Sequence, residues 1–246
     1  MKRVLGAAAA VLSTITVASA ADFPATPARV GLPAPIIFSW TGCYVGAEGG
    51  GAWGSSEHVV QSGTIAGTTI PGKFDLRGAI AGGTVGCNLQ LSNFVIGIEN
   101  DYSWTNKQGS AFNIPPFDPT TTSTTREKWI DTLRGRFGYV PWDRIMVYGT
   151  GGIAWAGTSV DVSNPAFGFF SDSKVRTGWV VGVGGEWAAW SAPGFDLTFK
   201  LEWLHADFDR SQYFSTPIVV GGATVVTRDV RLTDELVRLG MNVKFN

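Results

Sequence analysis

Histidine and cysteine are nearly absent from this chain, with two of each in 246 residues. His58 and His205, far apart in sequence, and a single cysteine pair do not supply the convergent ligands that a zinc site needs, so neither a metal nor another cofactor is expected. His205 and Asp207 have an H-x-D spacing that would suit a base and its orienting carboxylate, but no nucleophile motif accompanies them, and an enzyme is not expected. Charge is sparse as well. Only 16% of residues are charged, the formal net charge is −1, and no dense Lys/Arg run occurs, which argues against a nucleic-acid partner. Beyond the first twenty residues there is no apolar run of the roughly 20 residues that a membrane-spanning helix requires.

Those first twenty residues have the form of an export signal. Lys2 and Arg3 give a positive start, Val4 to Val17 is largely apolar, and Ala18-Ser19-Ala20 provides the small residues that a signal peptidase reads. Cleavage is expected between Ala20 and Ala21; losing Lys2 and Arg3 takes the net charge to −3. Residues 21–39 form a linker containing Pro24, Pro27, Pro33 and Pro35, a density of proline that resists helix and sheet alike. Residues 40–246 are then one domain.

Within that domain the dominant signal is a period of two. Near the end, Val237, Leu239, Met241, Val243 and Phe245 alternate with Arg238, Gly240, Asn242 and Lys244, which separates an apolar from a polar face only on a β-strand. Eight such strands are expected near 41–54, 75–89, 93–104, 129–140, 144–157, 175–190, 195–208 and 231–245. Tight turns fall at Leu91 to Asn93, Pro141 to Arg144 and Ser191 to Gly194. Long polar loops are expected at Ser55 to Phe74, Thr105 to Lys128, Thr158 to Lys174 and Asp209 to Val230. The fold expected is all-β: an eight-stranded antiparallel up-and-down transmembrane β-barrel with short periplasmic turns and long outer loops. Gly149-Thr150-Gly151-Gly152 and Gly182-Val183-Gly184-Gly185 are read as strand glycines, because no helix follows to hold a phosphate.

The polar faces of the strands decide between a membrane barrel and a soluble, lipocalin-like one. They carry Glu48, Glu99, Asp101, Glu186 and Glu202 against Arg134, Arg136, Lys200, Arg238 and Lys244, mixed with Gly, Thr and Asn. Five charges of each sign among small residues suit an ion-paired lumen better than a solvated exterior. Trp53, Trp104, Trp129, Trp155, Trp187 and Trp203 lie near strand ends, where aromatic girdles meet the membrane interface.

Several segments carry a family resemblance. Trp40-Thr41-Gly42-Cys43-Tyr44-Val45-Gly46, Gly86-Cys87-Asn88-Leu89-Gln90, Ile96-Gly97-Ile98-Glu99-Asn100-Asp101, Leu133-Arg134-Gly135-Arg136-Phe137-Gly138-Tyr139, Tyr148-Gly149-Thr150-Gly151-Gly152-Ile153-Ala154 and the closing Val237 to Phe245 resemble the small outer-membrane immunogenic proteins of alphaproteobacteria. The resemblance implies location in the bacterial outer membrane, antigenic outer loops and a porin-like label. Such proteins commonly end on the aromatic residue that the barrel-assembly machinery is thought to read, whereas here Asn246 follows Phe245.

Cys43 opens the first strand and Cys87 closes the second, so antiparallel pairing puts both at the periplasmic level on the outward face. A cross-strand disulfide in an oxidising compartment is expected, with two reduced thiols as the alternative. The functional expectation is a structural barrel that contributes to envelope integrity. Its partners would be outer-membrane lipid, the assembly machinery during insertion and a surface ligand met by the loops. The alternatives are a narrow porin-like channel and a surface ligand-binding protein, for example for haem or a host factor.

Overall fold

A computed structural model describes residues 38–61, 66–115, 118–166, 168–215, 218–220, 223–225 and 227–245. The expected signal 1–20, its Ala20/Ala21 cleavage point and nearly all of the linker lie outside these residues. The strands are β1 (Gly42–Val60), β2 (Phe74–Leu91), β3 (Phe94–Thr105), β4 (Gln108–Phe112), β5 (Thr122–Trp142), β6 (Ile145–Asn164), β7 (Gly168–Ala192), β8 (Phe195–Tyr213), β9 (Ile218–Val220), β10 (Ala223–Val225) and β11 (Arg228–Phe245). Eight of them, β1, β2, β3, β5, β6, β7, β8 and β11, form an antiparallel ring closed by β1 pairing with both β2 and β11. Closure leaves no sheet edge among these eight. β4 bridges the upper ends of β2 and β5, and β9 and β10 form a separate small hairpin.

At one end, two-residue turns join β2 to β3, β5 to β6 and β7 to β8. Gly194 takes a φ of 90° and Ser92 a φ of 57°, the positive values that tight hairpins demand. At the opposite, loop end the strands run further than their apolar alternation indicates. β1 continues to Val60, β5 begins at Thr122, inside the Thr120 to Thr125 run, and β8 reaches Tyr213. The stretch Thr158 to Lys174, expected as a long loop, is instead the paired ends of β6 and β7, in register from Asn164↔Gly168 downward. The reason is physical: a strand beyond lipid needs no apolar outer face, so hydrogen-bonded pairing persists where alternation fades.

The distribution of polarity is inverted relative to a soluble protein. Leu239 is 66% exposed while its neighbour Arg238 is 1% exposed; in β3, Ile98 is 54% exposed and Glu99 fully buried. Trp53, Trp104, Trp179 and Trp203 stand on the outer surface toward the loop end, and Phe94, Tyr139, Trp142, Trp187, Trp190 and Phe245 toward the turn end. Trp155, counted with the girdles in the sequence, is only partly exposed. From Cys43 to Trp53, ten residue steps rise about 33 Å along the strand, or about 25 Å of height at the tilt usual for such barrels. That matches the apolar band of a membrane barrel.

Inside, apolar and polar layers alternate from the turn end upward. Phe38 and Trp40 join Val95, Val140, Met146, Tyr148 and Ala188 in an apolar cluster at the turn end. The Trp40 amide donates to Gln90 Oε1 at 2.8 Å, tying this entry segment to β2. Phe38, assigned to the linker from its neighbouring prolines, therefore packs with the barrel. The charged layer follows. Above it lies a second apolar layer that includes Leu76, Ile80, Ile130, Val180, Leu204 and Leu236. Glycines admit the largest lumen side chains: a methyl group at Gly184 would stand 2.5 Å from Tyr148 Cζ.

Candidate functional site

All ten of the charged residues assigned to the lumen from alternation are buried there. Strict alternation puts each on the inward face, and closure of the ring brings them together. Arg134 on β5 is the hub. Its Nη2 donates to Glu99 Oε1 at 2.7 Å and also to Asp101, its Nη1 to Glu202 Oε1 at 2.8 Å, and its Nε to Thr132 Oγ1 at 3.1 Å. Arg238 on β11 bridges Glu48 and Glu202 and reaches Asp101 Oδ2 at 3.3 Å. Lys200 lies 3.3 Å from Glu48, 3.2 Å from Glu99 and 3.4 Å from Asp101.

Toward the turn end, Arg136 donates to Glu186 at 2.7 Å, Glu99 at 3.2 Å and Tyr44 Oη at 2.6 Å, and its guanidinium lies 3.9 Å from the Tyr148 ring centroid. Glu186 also accepts from Thr198 at 2.5 Å and Asn242 at 3.0 Å. Lys244 pairs with Asp196 at 3.0 Å and donates to the Thr41 carbonyl, the last ion pair before the turn-end mouth. Asp196, on the same face of β8 as Lys200 and Glu202, also belongs to this layer. With it, six carboxylates face five cations across six of the eight ring strands, β2 and β6 contributing no charge.

A second polar chamber lies beyond the tryptophan belt, where sequence reasoning expected loops. Lys107 sits between Glu127 at 3.0 Å and Asp234, all three fully buried. Burial and the nearby Asp234 charge push the Glu127 carboxyl up to about 8, while the two carboxylates outweigh burial and hold the Lys107 ammonium above its usual range. His58, expected in a loop, is buried on β1; its Nε2 lies 3.1 Å from Ser56 Oγ and 3.0 Å across the lumen from Thr125 Oγ1. Burial, with Arg228 and Arg176 nearby, lowers its imidazole to about 3, so it is neutral at physiological pH. Arg176 and Arg228 complete the chamber. Parity would have found them: Arg228, Asp234 and Arg238 share one face of β11, and Arg176 shares a face of β7 with Glu186.

The H-x-D pair does not assemble. His205 Nδ1 lies 2.6 Å from Glu235, between the Trp179 and Trp203 rings, while Asp207 binds Arg231 at 2.8 Å. The cysteines do assemble. Cys43 and Cys87 are register partners on the outward face and are joined by a disulfide.

Comparison with known proteins agrees with this geometry. The family model of the outer membrane protein β-barrel domain matches residues 7–245. The 31 kDa outer-membrane immunogenic proteins of Brucella melitensis and Brucella suis are each 30% identical over 254 residues, covering 100% of both chains. Among solved structures, the fold is similar to Ail of Yersinia pestis (13% identity, 82% of this chain and 99% of that one, TM-score 0.36) and to Neisserial surface protein A (13% identity, 84% and 98%, TM-score 0.37). An apolar exterior, a charged interior and a full-length family match lead to one statement: the chain belongs to the outer-membrane β-barrel protein family and resides in the bacterial outer membrane.

Proposed function

We propose that this protein is a plugged structural barrel, a rigid outer-membrane anchor that displays its loop-end segments at the cell surface and contributes to envelope integrity. The observation that carries this reading is the charged layer. An eight-stranded barrel encloses a lumen about as wide as its own side chains, and here that width is crossed by interlocking ion pairs from six strands. Opening a path would separate buried charges, each break costing about 3–5 kcal/mol. The apolar belt meets lipid, the barrel-assembly machinery handles insertion, and the loops are the part available to surface ligands. The immunogenic character named for the Brucella relatives is in keeping with exposed loops.

Planar-bilayer conductance of the refolded barrel tests the proposal, alongside an Arg134→Ala/Arg136→Ala variant checked for folding by heat-modifiable gel mobility. Silence in the unmodified protein and conductance in the variant is the expected pair of results. Steady conductance in the unmodified protein would identify a narrow channel and overturn the plug.

A further inference from the structure

The chamber at the loop end has an unbalanced charge. Lys107, Arg176 and Arg228 face only Glu127 and Asp234, and Lys107 already holds both carboxylates. Arg176 and Arg228 are 1% and 3% exposed, and among the described residues neither has a carboxylate within ion-pair distance. The internal stretches outside the description, 62–65, 116–117, 167, 216–217, 221–222 and 226, contain no Asp or Glu that could reach them. Burial lowers the Arg228 guanidinium only to about 10, so it stays charged at neutral pH. A buried, charged guanidinium without a counter-charge is costly.

The two arginines occupy one place. Arg228 is the register partner of Tyr213, and the Arg176 guanidinium lies 5.5 Å from the Tyr213 ring centroid. Arg228 Nη1 donates across the lumen to Ser123 Oγ at 2.7 Å, two residues along β5 from Thr125, the partner of His58. Arg176 crosses in turn to the Val230 carbonyl. Beyond these bonds, Arg228 Nε and His58 Nδ1 are buried without a hydrogen-bond partner, and Arg176, Tyr213 and Thr158 have only one another, with the Asp234 and Glu127 charges acting on Arg176 from beyond ion-pair distance. Buried polar groups so sparsely satisfied call for an ion or water that binds them.

We propose that this chamber binds one small inorganic oxyanion of the phosphate class, held between Arg176 and Arg228. Planar guanidiniums offer forked donors that match a tetrahedral oxyanion, and a neutral His58 adds no competing charge. The site is independent of whether the inner layer conducts, so its failure and that of the plug are separate results.

Calorimetric titration of inorganic phosphate into the refolded barrel, at constant ionic strength, tests it. One phosphate per barrel is expected, bound at least about tenfold more weakly by folded Arg228→Gln or Arg176→Gln, as loss of a charge-assisted hydrogen bond implies. Arg126→Gln, at the exposed arginine paired with Asp161, keeps the wild-type affinity. No saturable binding, undiminished binding in both lumen variants, or an equal loss in Arg126→Gln overturns the site. Should the lumen variants not refold, the melting temperature of the unmodified protein decides: a rise with phosphate and not with perchlorate supports the site, and equal rises overturn it.

Discussion

The two polar halves of one lumen treat their buried arginines differently. In the membrane-embedded half every cation touches at least one carboxylate, and the hub Arg134 touches three. In the half beyond the tryptophan belt, two arginines of similar burial touch none. Lipid explains the first. Where neither water nor a passing ion can stabilise a charge, the chain must supply the counter-charge itself, and it does so from six strands at once. Nearer the outer surface, an external anion can take that part. The same residue type, equally buried, is therefore a fixed structural cross-link in one half and a candidate ligand in the other.

The largest expected effect separates the halves directly. Arg134→Met should lower unfolding stability by about 3–5 kcal/mol, because it takes one cation from Glu99, Asp101 and Glu202 at once and leaves six buried carboxylates facing four cations. Urea unfolding in lipid vesicles, followed by tryptophan fluorescence, reads it. Arg228→Met, which orphans no carboxylate, should change stability by no more than about 1 kcal/mol in phosphate-free buffer, or increase it. Equal costs for the two would break the comparison.

A pH effect of intermediate size sharpens the outer half. Glu127 is raised to about 8 when folded, whereas the unfolded carboxylate ionises in the ordinary range, so the native state holds an extra proton between those values. Stability should fall as pH rises from 6.5 to 8, by about 1–2 kcal/mol, and Glu127→Gln should abolish that slope. His58 works in the opposite direction but lower down. Its depressed value makes stability rise with pH between about 3 and its ordinary value, so above pH 6.5 it adds back only about 0.4 kcal/mol. The smallest effect belongs to the surface. Arg231→Ala removes a solvent-exposed pair with Asp207 and should leave the unfolding midpoint unchanged within error.

Much of the ring was legible because lipid imposes a strict code. Ile96, Ile98 and Leu239 must face out and Glu99 and Arg238 must face in, and two-residue turns at Ser92–Asn93 and Pro193–Gly194 mark the reversals. The code weakens beyond the membrane. There Ser123, Thr125 and Arg228 alternate with other polar residues, so the strand ends, His58 and the Lys107 cluster read as loop. Phe38 was lost for another reason: proline density described its neighbours well, but its contact with Trp40 and the lumen depends on tertiary packing. Partnership within the inner layer was only partly visible. Charge balance could be counted along the sequence, but the hub position of Arg134 required the ring to close.

That closure has a consequence for how the protein is made. Arg238 and its partner Glu48 are 190 residues apart, and β11 is the strand that seals β1 to β8. Before β11 docks, β1 and β8 present open edges, and Glu48 and Glu202 lack one of their cations. An unfinished chain thus carries both an unpaired backbone and uncompensated negative charge. One strand, β11, therefore both closes the backbone ring and completes the charge balance of the lumen.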